Sequence, residues 1–198
     1  MVHEVKWDGI RILVEDGSSG PRLFSRNGND VTVAWPDIAG SASSRDLVLD
    51  GEIIAMNDRG LPDFRVLQDR MHVRDPKKIE RLARSAPAFY MAFDLLRLDG
   101  RELHHEPWEV RRELLESIDL QGWQVPPTYE DGDMLWAATR EQGLEGVVSK
   151  RRRSPYAYGS GARTGSSCPT GTGCPTSSAA GARRRARPTA WPRCSWGS

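Results

Sequence analysis

Apolar and polar residues alternate in short runs near the start of the chain, a pattern typical of β-strands. Three such runs cover residues 2–6, 10–15 and 22–25. The segments between them, WDG and EDGSSGP, contain Asp-Gly and Gly-Pro steps, which indicate turns. The first 25 residues are therefore predicted to form an antiparallel meander.

Three further strands are predicted from the apolar pattern of the following residues. Residues 46–56, DLVLDGEIIAM, form a long strand, and its period of two places the carboxylates of Asp50 and Glu52 on one face. The near-continuous apolar run AFYMAFDLLRL at residues 88–98 predicts a buried strand, and EGVVSK at residues 145–150 predicts another.

Apolar residues at helical spacing predict four helices, within residues 62–71, 76–84, 106–118 and 131–143. Asp63 and Pro76 are suitable residues for the starts of the first two, and Gly143 for the end of the last. The third helix is predicted to turn its apolar residues inward, namely Val110, Leu114, Leu115 and Ile118. Strands and helices together predict one α+β domain over residues 1–158.

The composition changes after that domain. Residues 159–198 contain no Leu, Ile, Val, Phe or Met and are rich in Arg, Gly, Ser and Pro. Such a segment buries too little apolar surface to offset an ordering entropy of about 1–2 kcal/mol per residue. A disordered C-terminal tail is therefore predicted over residues 159–198.

Charge separates the same two parts of the chain. Residues 1–150 carry 19 basic and 27 acidic residues, a net charge of −8, whereas residues 151–198 carry nine arginines and no Asp, Glu or Lys. All three cysteines lie in this tail at spacings that match no zinc pattern. The sequence has neither a membrane-length apolar run nor a secretory signal pattern, which favours a cytoplasmic protein with no membrane partner.

Five short motifs occur in a fixed order: KWDGIR from Lys6, SRNG around Arg26, LDGEI around Glu52, FDLLRLDG from Phe93 and EGVVSKR from Glu145. Together they resemble motifs I, Ia, III, IIIa and IV of the covalent nucleotidyltransferases. The resemblance is strongest to the ATP-dependent DNA ligases of the bacterial end-joining type. It implies an ATP-grasp-like nucleotidyltransferase domain with antiparallel sheets flanked by helices around a nucleotide cleft.

The resemblance implies roles for particular residues. Lys6 is expected to be the nucleophile that attacks ATP and becomes lysyl-AMP. A lysine amine attacks phosphorus only after losing its proton, which burial or a nearby positive charge favours. The other expected nucleotide contacts are Glu4, Arg11, Glu52, Phe93 and Lys150, with Phe93 either stacking on adenine or packing in the core.

The expected cofactors are ATP and Mg²⁺, with Mn²⁺ as the alternative metal. Glu52 and Glu145 are the expected metal-site carboxylates, because Mg²⁺ prefers oxygen ligands. Arg26 is expected to contact a DNA phosphate. The expected partners are nicked double-stranded DNA and end-joining repair proteins, and the chain is expected to be a nucleoid-associated monomer.

Two features depart from the family pattern. No lysine follows Lys150, so the lysines of motif V are missing, and the alternating strands of an OB-fold are absent from the sequence. The codons of residues 164–168, TGSSC, can be chosen so that a shifted frame encodes Trp-Val-Lys-Leu, which resembles motif V. We therefore hypothesise that the tail is translated out of frame, which the nucleotide sequence of the gene would decide.

Three alternatives to a complete DNA ligase remain open from the sequence. An RNA ligase and a capping-type guanylyltransferase share the lysine chemistry. A catalytically impaired ligase remnant would retain the five motifs without sealing DNA, and its arginine-rich tail could still bind nucleic acid.

Overall fold

The computed structural model describes residues 1–43 and 45–157, together with the backbone of residues 165–169. Its strands are β1 (Val2–Lys6), β2 (Ile10–Asp16), β3 (Arg22–Ser25), β4 (Leu47–Ala55), β5 (Ala88–Leu98), β6 (Arg101–Glu102), β7 (Gly146–Lys150) and β8 (Gly165–Pro169). Its helices are α1 (Pro36–Ala39), α2 (Phe64–Met71), α3 (Pro76–Ser85), α4 (Trp108–Glu116) and α5 (Gly132–Gln142), and a 3₁₀ turn covers Thr32–Ala34.

The strands form two antiparallel sheets. The larger sheet has the order β3-β2-β4-β5-β6, and the smaller sheet has the order β1-β7-β8. Residues 7–9 connect β1 of the small sheet to β2 of the large one. This architecture confirms the predicted α+β domain with antiparallel sheets flanked by helices, and the described strands form no OB barrel.

Each sheet has its own apolar core. In the large sheet, β4 and β5 contribute Leu49, Ile53 and Leu95, all with 0% exposure, and α1, α2 and α4 pack on these two strands. Burial of each such side chain contributes about 1.5–3 kcal/mol before opposing terms. In the small sheet, Val5 and Val147 pack with Leu135 of α5. No helix among the described residues has the length and apolarity needed to cross a bilayer.

The inward face of α4 differs from the predicted one. Val110, Leu114 and Ile118 are only partly buried, whereas Arg111 and Arg112 are buried beside Leu115. Helical periodicity counts apolar residues and therefore misses an arginine that is buried with its charge paired to a carboxylate. Arg111 pairs with Asp94 of β5, and Arg112 pairs with Glu116 and donates to the carbonyl of Pro126.

The C-terminal segment contains more regular structure than its composition predicts. Residues 165–169 form β8, which pairs with β7 from Gly146 opposite Pro169 to Lys150 opposite Gly165. Strand pairing uses backbone groups, and β8 covers a backbone edge of β7 without needing apolar side chains. The other residues of the predicted tail, and the hypothesis of a shifted frame, lie outside the described residues.

Gly51 provides a test of how closely β4 and β5 approach. A Cβ atom at Gly51 would lie 2.4 Å from the carbonyl oxygen of Met91 and 2.5 Å from Cζ of Tyr90. We expect Gly51→Ala to lower the free energy of unfolding by about 1–3 kcal/mol, since neither backbone nor ring can yield cheaply. Urea denaturation measures this value.

The matched control is Gly17→Ala, in the turn after β2, where the nearest atom to a new Cβ is Asp46 Oδ1 at 4.0 Å. We expect a change within about 0.5 kcal/mol. Equal effects of the two substitutions would contradict the close approach of β4 to β5.

Candidate active site

A cavity of about 550 Å³ is lined by residues from both sheets. Seven of the eight predicted site residues line it, and they are Glu4, Lys6, Arg11, Glu52, Phe93, Glu145 and Lys150. The eighth, Arg26, is exposed in the turn after β3 and does not line the cavity. The structure thus gathers residues that are up to 146 positions apart, which is the geometry expected of a binding site.

Lys6 lies at the end of β1, opposite Gly146 of β7. Its Nζ contacts Oε1 of Glu145, and the two side chains are 34% and 33% exposed. The amine is therefore held by a carboxylate and yet accessible from the cavity. An ion pair this exposed contributes little to stability, so its placement matters more than its energy.

The turn after Lys6 explains the Asp-Gly step of its motif. A Cβ at Gly9 would lie 2.2 Å from the carbonyl oxygen of Ile53, so a larger residue does not fit against β4. Asp8 Oδ2 accepts a hydrogen bond from the backbone nitrogen of Phe64 at 3.1 Å. Asp63 caps the same end of α2 by accepting from Arg65 N. Asp8 and Gly9 therefore fix the position of Lys6, Gly9 relative to β4 and Asp8 relative to α2.

Glu52 lies in β4 opposite Arg11 of β2 and lines the cavity. Burial raises the pKa of Glu52 to about 8, against the lowering effect of the Arg11 charge, and the carboxylates of Asp50 and Glu145 add to the rise. In the absence of a ligand, this carboxyl group is therefore mostly protonated at neutral pH.

Arg11 is held by the carboxylate of Asp50. Its Nε donates to Asp50 Oδ1 at 3.0 Å and its Nη2 to Asp50 Oδ2 at 2.6 Å, while the Asp50 side chain is only 1% exposed. The hydroxyl of Tyr156 donates to Asp50 Oδ2 at 2.8 Å. A buried carboxylate with these three donors is a fixed anchor for the guanidinium group.

Lys150 connects two of the other cavity residues. Its Nζ lies 2.8 Å from Glu4 Oε2 and 3.3 Å from the carbonyl oxygen of Phe93, and 4.8 Å from the centre of the Phe93 ring. Glu4 is 4% exposed, and its Oε1 has no hydrogen-bond partner among the described residues. A buried acceptor without a partner is costly unless a ligand supplies a donor.

The carboxylates of Glu52 and Glu145 suit a metal ion whose remaining ligands come from the substrate and water. No group of three or more acidic, His or Cys side chains that could hold a metal ion is found among the described residues. Glu52 and Glu145 are close enough to interact electrostatically, and both line the cavity. Mg²⁺ commonly uses one or two carboxylates, with phosphates and water as its other ligands. Glu52 and Glu145 match such a site in ligand type and number.

Sequence reasoning missed several residues that line the cavity, namely Asp94, Trp108, Arg111 and Tyr156. Asp94 lies within the FDLLRLDG motif, but nothing local marks its pairing with Arg111 of α4. An arginine adjacent to the apolar stripe of α4 is the one signal that the sequence offered. Tyr156 had no signal, since its partner Asp50 lies 106 positions away.

Comparison with known protein families gives a match over most of the chain. The family model of the ATP dependent DNA ligase domain matches residues 1–165. The multifunctional non-homologous end joining DNA repair protein LigD of Mycobacterium tuberculosis is 38% identical over 161 residues, covering 79% of this chain and 20% of that protein. DNA ligase C1 of Mycolicibacterium smegmatis is 38% identical over 168 residues, covering 79% of this chain and 48% of that protein.

Two solved DNA ligase structures superpose on this chain. A mycobacterial DNA ligase D complexed with ATP and MES superposes with a TM-score of 0.71 at 35% identity, covering 84% of this chain and 53% of that one. The ligase domain of M. tuberculosis LigD gives a TM-score of 0.67 at 34% identity, with 85% and 53% covered. The chain thus spans about a fifth of LigD and about half of these solved chains.

The raised pKa of Glu52 predicts a pH-dependent stability. The folded protein keeps a proton on Glu52 up to a pH of about 8, whereas the unfolded chain releases it near its ordinary pKa of 4.5. Without metal or nucleotide, the unfolding free energy of the wild type, relative to Glu52→Gln, should therefore fall from pH 5 to 8 and level off above.

Urea denaturation in the presence of a chelator, at several pH values, measures this difference. Glu141→Gln, at an exposed position of α5, is the matched control and should follow the wild type at every pH. A stability difference between wild type and Glu52→Gln that is constant with pH would show that Glu52 titrates normally.

Proposed function

The chain belongs to the ATP-dependent DNA ligase family, and we propose on that basis that residues 1–158 carry out the adenylation step of ligation. Nζ of Lys6 would attack the α-phosphorus of ATP, forming a P–N bond as the P–O bond to the β-phosphate breaks. Pyrophosphate leaves and the amine loses a proton, which gives lysyl-AMP. The accessible amine of Lys6, in a cavity shared by both sheets, is the observation that supports this proposal.

Glu145 would hold the amine of Lys6 until the nucleotide binds. Their contact places Nζ at the cavity, and the partial exposure of both groups allows the pair to separate. Glu52 and Glu145 would then hold Mg²⁺, with Mn²⁺ as the alternative. When bound, the metal would neutralise phosphate charge and favour the neutral amine. Glu52 would release its proton on metal binding, since its pKa of about 8 leaves it mostly protonated beforehand.

The base would be chosen by Glu4. Its buried Oε1 lacks a hydrogen-bond partner among the described residues and is next to a cavity lined by the Phe93 ring. The exocyclic amino group of adenine would supply the missing donor, whereas guanine carries a carbonyl at the same ring position. Phe93 would stack on the base, and Lys150 would hold Glu4 in place. This arrangement favours ATP over the GTP of a capping-type enzyme.

The later steps involve DNA and go beyond the domain described here. We propose transfer of AMP from Lys6 to the 5′-phosphate of nicked double-stranded DNA, followed by sealing, in the end-joining repair that LigD is named for. Arg11 would contact the nucleotide, and the exposed Arg26 would contact a DNA phosphate. The chain would act as a monomer with end-joining repair proteins as its partners.

A second candidate function is that of an impaired ligase that binds nucleotide but seals DNA poorly. The observation that favours it is the lack of any lysine after Lys150, where relatives carry motif V. Weak adenylation without sealing would support this reading. Sealing of nicked RNA in preference to nicked DNA would instead support an RNA ligase.

Labelling with α-phosphate-labelled ATP and Mg²⁺, followed by denaturing electrophoresis, tests the adenylation step. We expect a covalent label on the wild type and none on Lys6→Arg, since a guanidinium does not act as the nucleophile. Lys78→Arg, at an exposed position of α3, makes the same change outside the cavity and should label as the wild type does. A label that survives in Lys6→Arg would refute the assignment, and an unlabelled wild type would favour the impaired remnant.

The role of Glu4 predicts a loss of base discrimination in Glu4→Gln. A glutamine amide presents both a donor and an acceptor, so it can meet either purine. We expect the ratio of binding constants for ATP and GTP to fall by about tenfold or more, because unpaired polar groups no longer penalise guanine. Glu109→Gln, on the exposed face of α4, is the control. Equilibrium binding of the two nucleotides measures the ratio, and an unaltered ratio would remove Glu4 from base recognition.

A further inference from the structure

Residues 151–156, here called the β7 strap, follow β7 and lie against the start of α4. The backbone nitrogens of Trp108 and Glu109 donate to the carbonyl oxygens of Ser154 and Arg152 at 2.9 Å and 3.0 Å. The backbone nitrogen of Tyr156 donates to the carbonyl oxygen of His104 at 2.8 Å. These bonds satisfy donors at the helix N-terminus and give the strap a defined path away from the small sheet.

Arg111 ties the β7 strap to the large sheet. Its Nε and Nη2 donate to the two carboxylate oxygens of Asp94 in β5 at 2.7 Å and 2.9 Å, and its Nη1 donates to the carbonyl oxygen of Ser154 at 3.3 Å. Arg111 and Asp94 are 2% and 5% exposed. A bidentate pair buried to this degree is geometrically rigid, so the strap is fixed relative to β5.

The strap ends at Tyr156, whose hydroxyl reaches the Arg11 and Asp50 pair. The hydroxyl donates to Asp50 Oδ2 at 2.8 Å and accepts from Arg11 Nη2 at 3.2 Å. Burial raises the pKa of Tyr156, so the hydroxyl keeps its proton at neutral pH and remains a donor. One side chain therefore joins β7, through the strap, to β4 and β2.

These contacts determine which donors of Arg11 remain for a ligand. A guanidinium group has five N–H donors in one plane. Nε and Nη2 donate to Asp50, and Nη2 also donates to the hydroxyl of Tyr156. The hydrogen bonds of Arg11 within residues 1–43 and 45–157 use Nε and Nη2, and none uses the two donors on Nη1. Arg11 lines the cavity and its side chain is 51% exposed.

We propose that Tyr156 is a positioning residue for nucleotide binding, because it fixes the guanidinium plane of Arg11 so that the two Nη1 donors are presented to the nucleotide. The inference rests on the proposed function of the cavity and adds a residue that none of the five motifs contains. Tyr156 acts through Arg11 and does not itself take part in the reaction. It also makes the orientation of Arg11 depend on the position of the segment that follows β7.

Equilibrium binding of ATP in EDTA, where no covalent step occurs, tests this role with Tyr156→Phe. Loss of the hydroxyl should weaken ATP binding about three- to tenfold, as expected for one hydrogen bond that orients another. The matched control is Tyr90→Phe, which removes a buried hydroxyl that donates to the Ile12 carbonyl oxygen at 3.0 Å outside the cavity. That control should lower the melting temperature without changing ATP affinity.

A double-mutant cycle with Arg11→Ala separates positioning from a direct contact. If Tyr156 acts through Arg11, Tyr156→Phe should have no further effect on ATP affinity in the Arg11→Ala background. Unchanged affinity in Tyr156→Phe alone, or an equal loss in both backgrounds, would overturn the inference. If the wild type does not bind ATP, both the proposed function and the role of Tyr156 are overturned. If the wild type and Tyr156→Phe bind ATP equally well, only the role of Tyr156 is overturned.

Discussion

The arrangement of the cavity wall depends on the hydrogen bonds of one buried carboxylate, that of Asp50. Asp50 lies within an apolar sheet, where an unpaired charge would cost several kcal/mol, and its side chain is only 1% exposed. It is stable there because Arg11 and Tyr156 supply three hydrogen-bond donors. Those donors come from β2 and from the segment after β7, so satisfying Asp50 also brings the parts of the cavity wall together.

Glu52, on the same strand as Asp50, has no comparable hydrogen-bond donors among the described residues and has a raised pKa. Its side chain has no hydrogen bond to any of the described residues, and burial raises its pKa to about 8. Two carboxyl groups on one face of β4 therefore have different tasks. Asp50 holds Arg11, whereas Glu52, under the proposed function, would release its proton when a cation binds. Active sites commonly place a hydrogen-bonded carboxylate beside a carboxyl group whose pKa is raised.

The sequence was sufficient to predict which motifs meet but not how their contacts are arranged. Lys6, Glu52 and Glu145 could be assigned to one site because five ordered motifs resemble those of a known family. The burial of Arg111 was missed, because periodicity treats arginine as polar. The contact of Tyr156 with Asp50 was missed, because the two residues are 106 positions apart. β8 was missed because backbone pairing with β7 requires no particular side chains.

In the ligand-free protein, the proposed nucleophile Lys6 is held by an ion pair. Lys6 ends β1 and Glu145 immediately precedes β7, the neighbouring strand of the small sheet. Lys150 of β7 and Glu4 of β1 form a second ion pair, between the two strands. Both lysines are thus neutralised by a carboxylate before any ligand arrives, which limits repulsion between like charges in a confined cavity. A polyanionic ligand would compete with Glu145 for the more exposed lysine, Lys6, and would leave the more buried pair of Lys150 and Glu4 intact. The difference in exposure, 34% for Lys6 against 16% for Lys150, is therefore consistent with the proposal that Lys6 reacts and Lys150 supports the site.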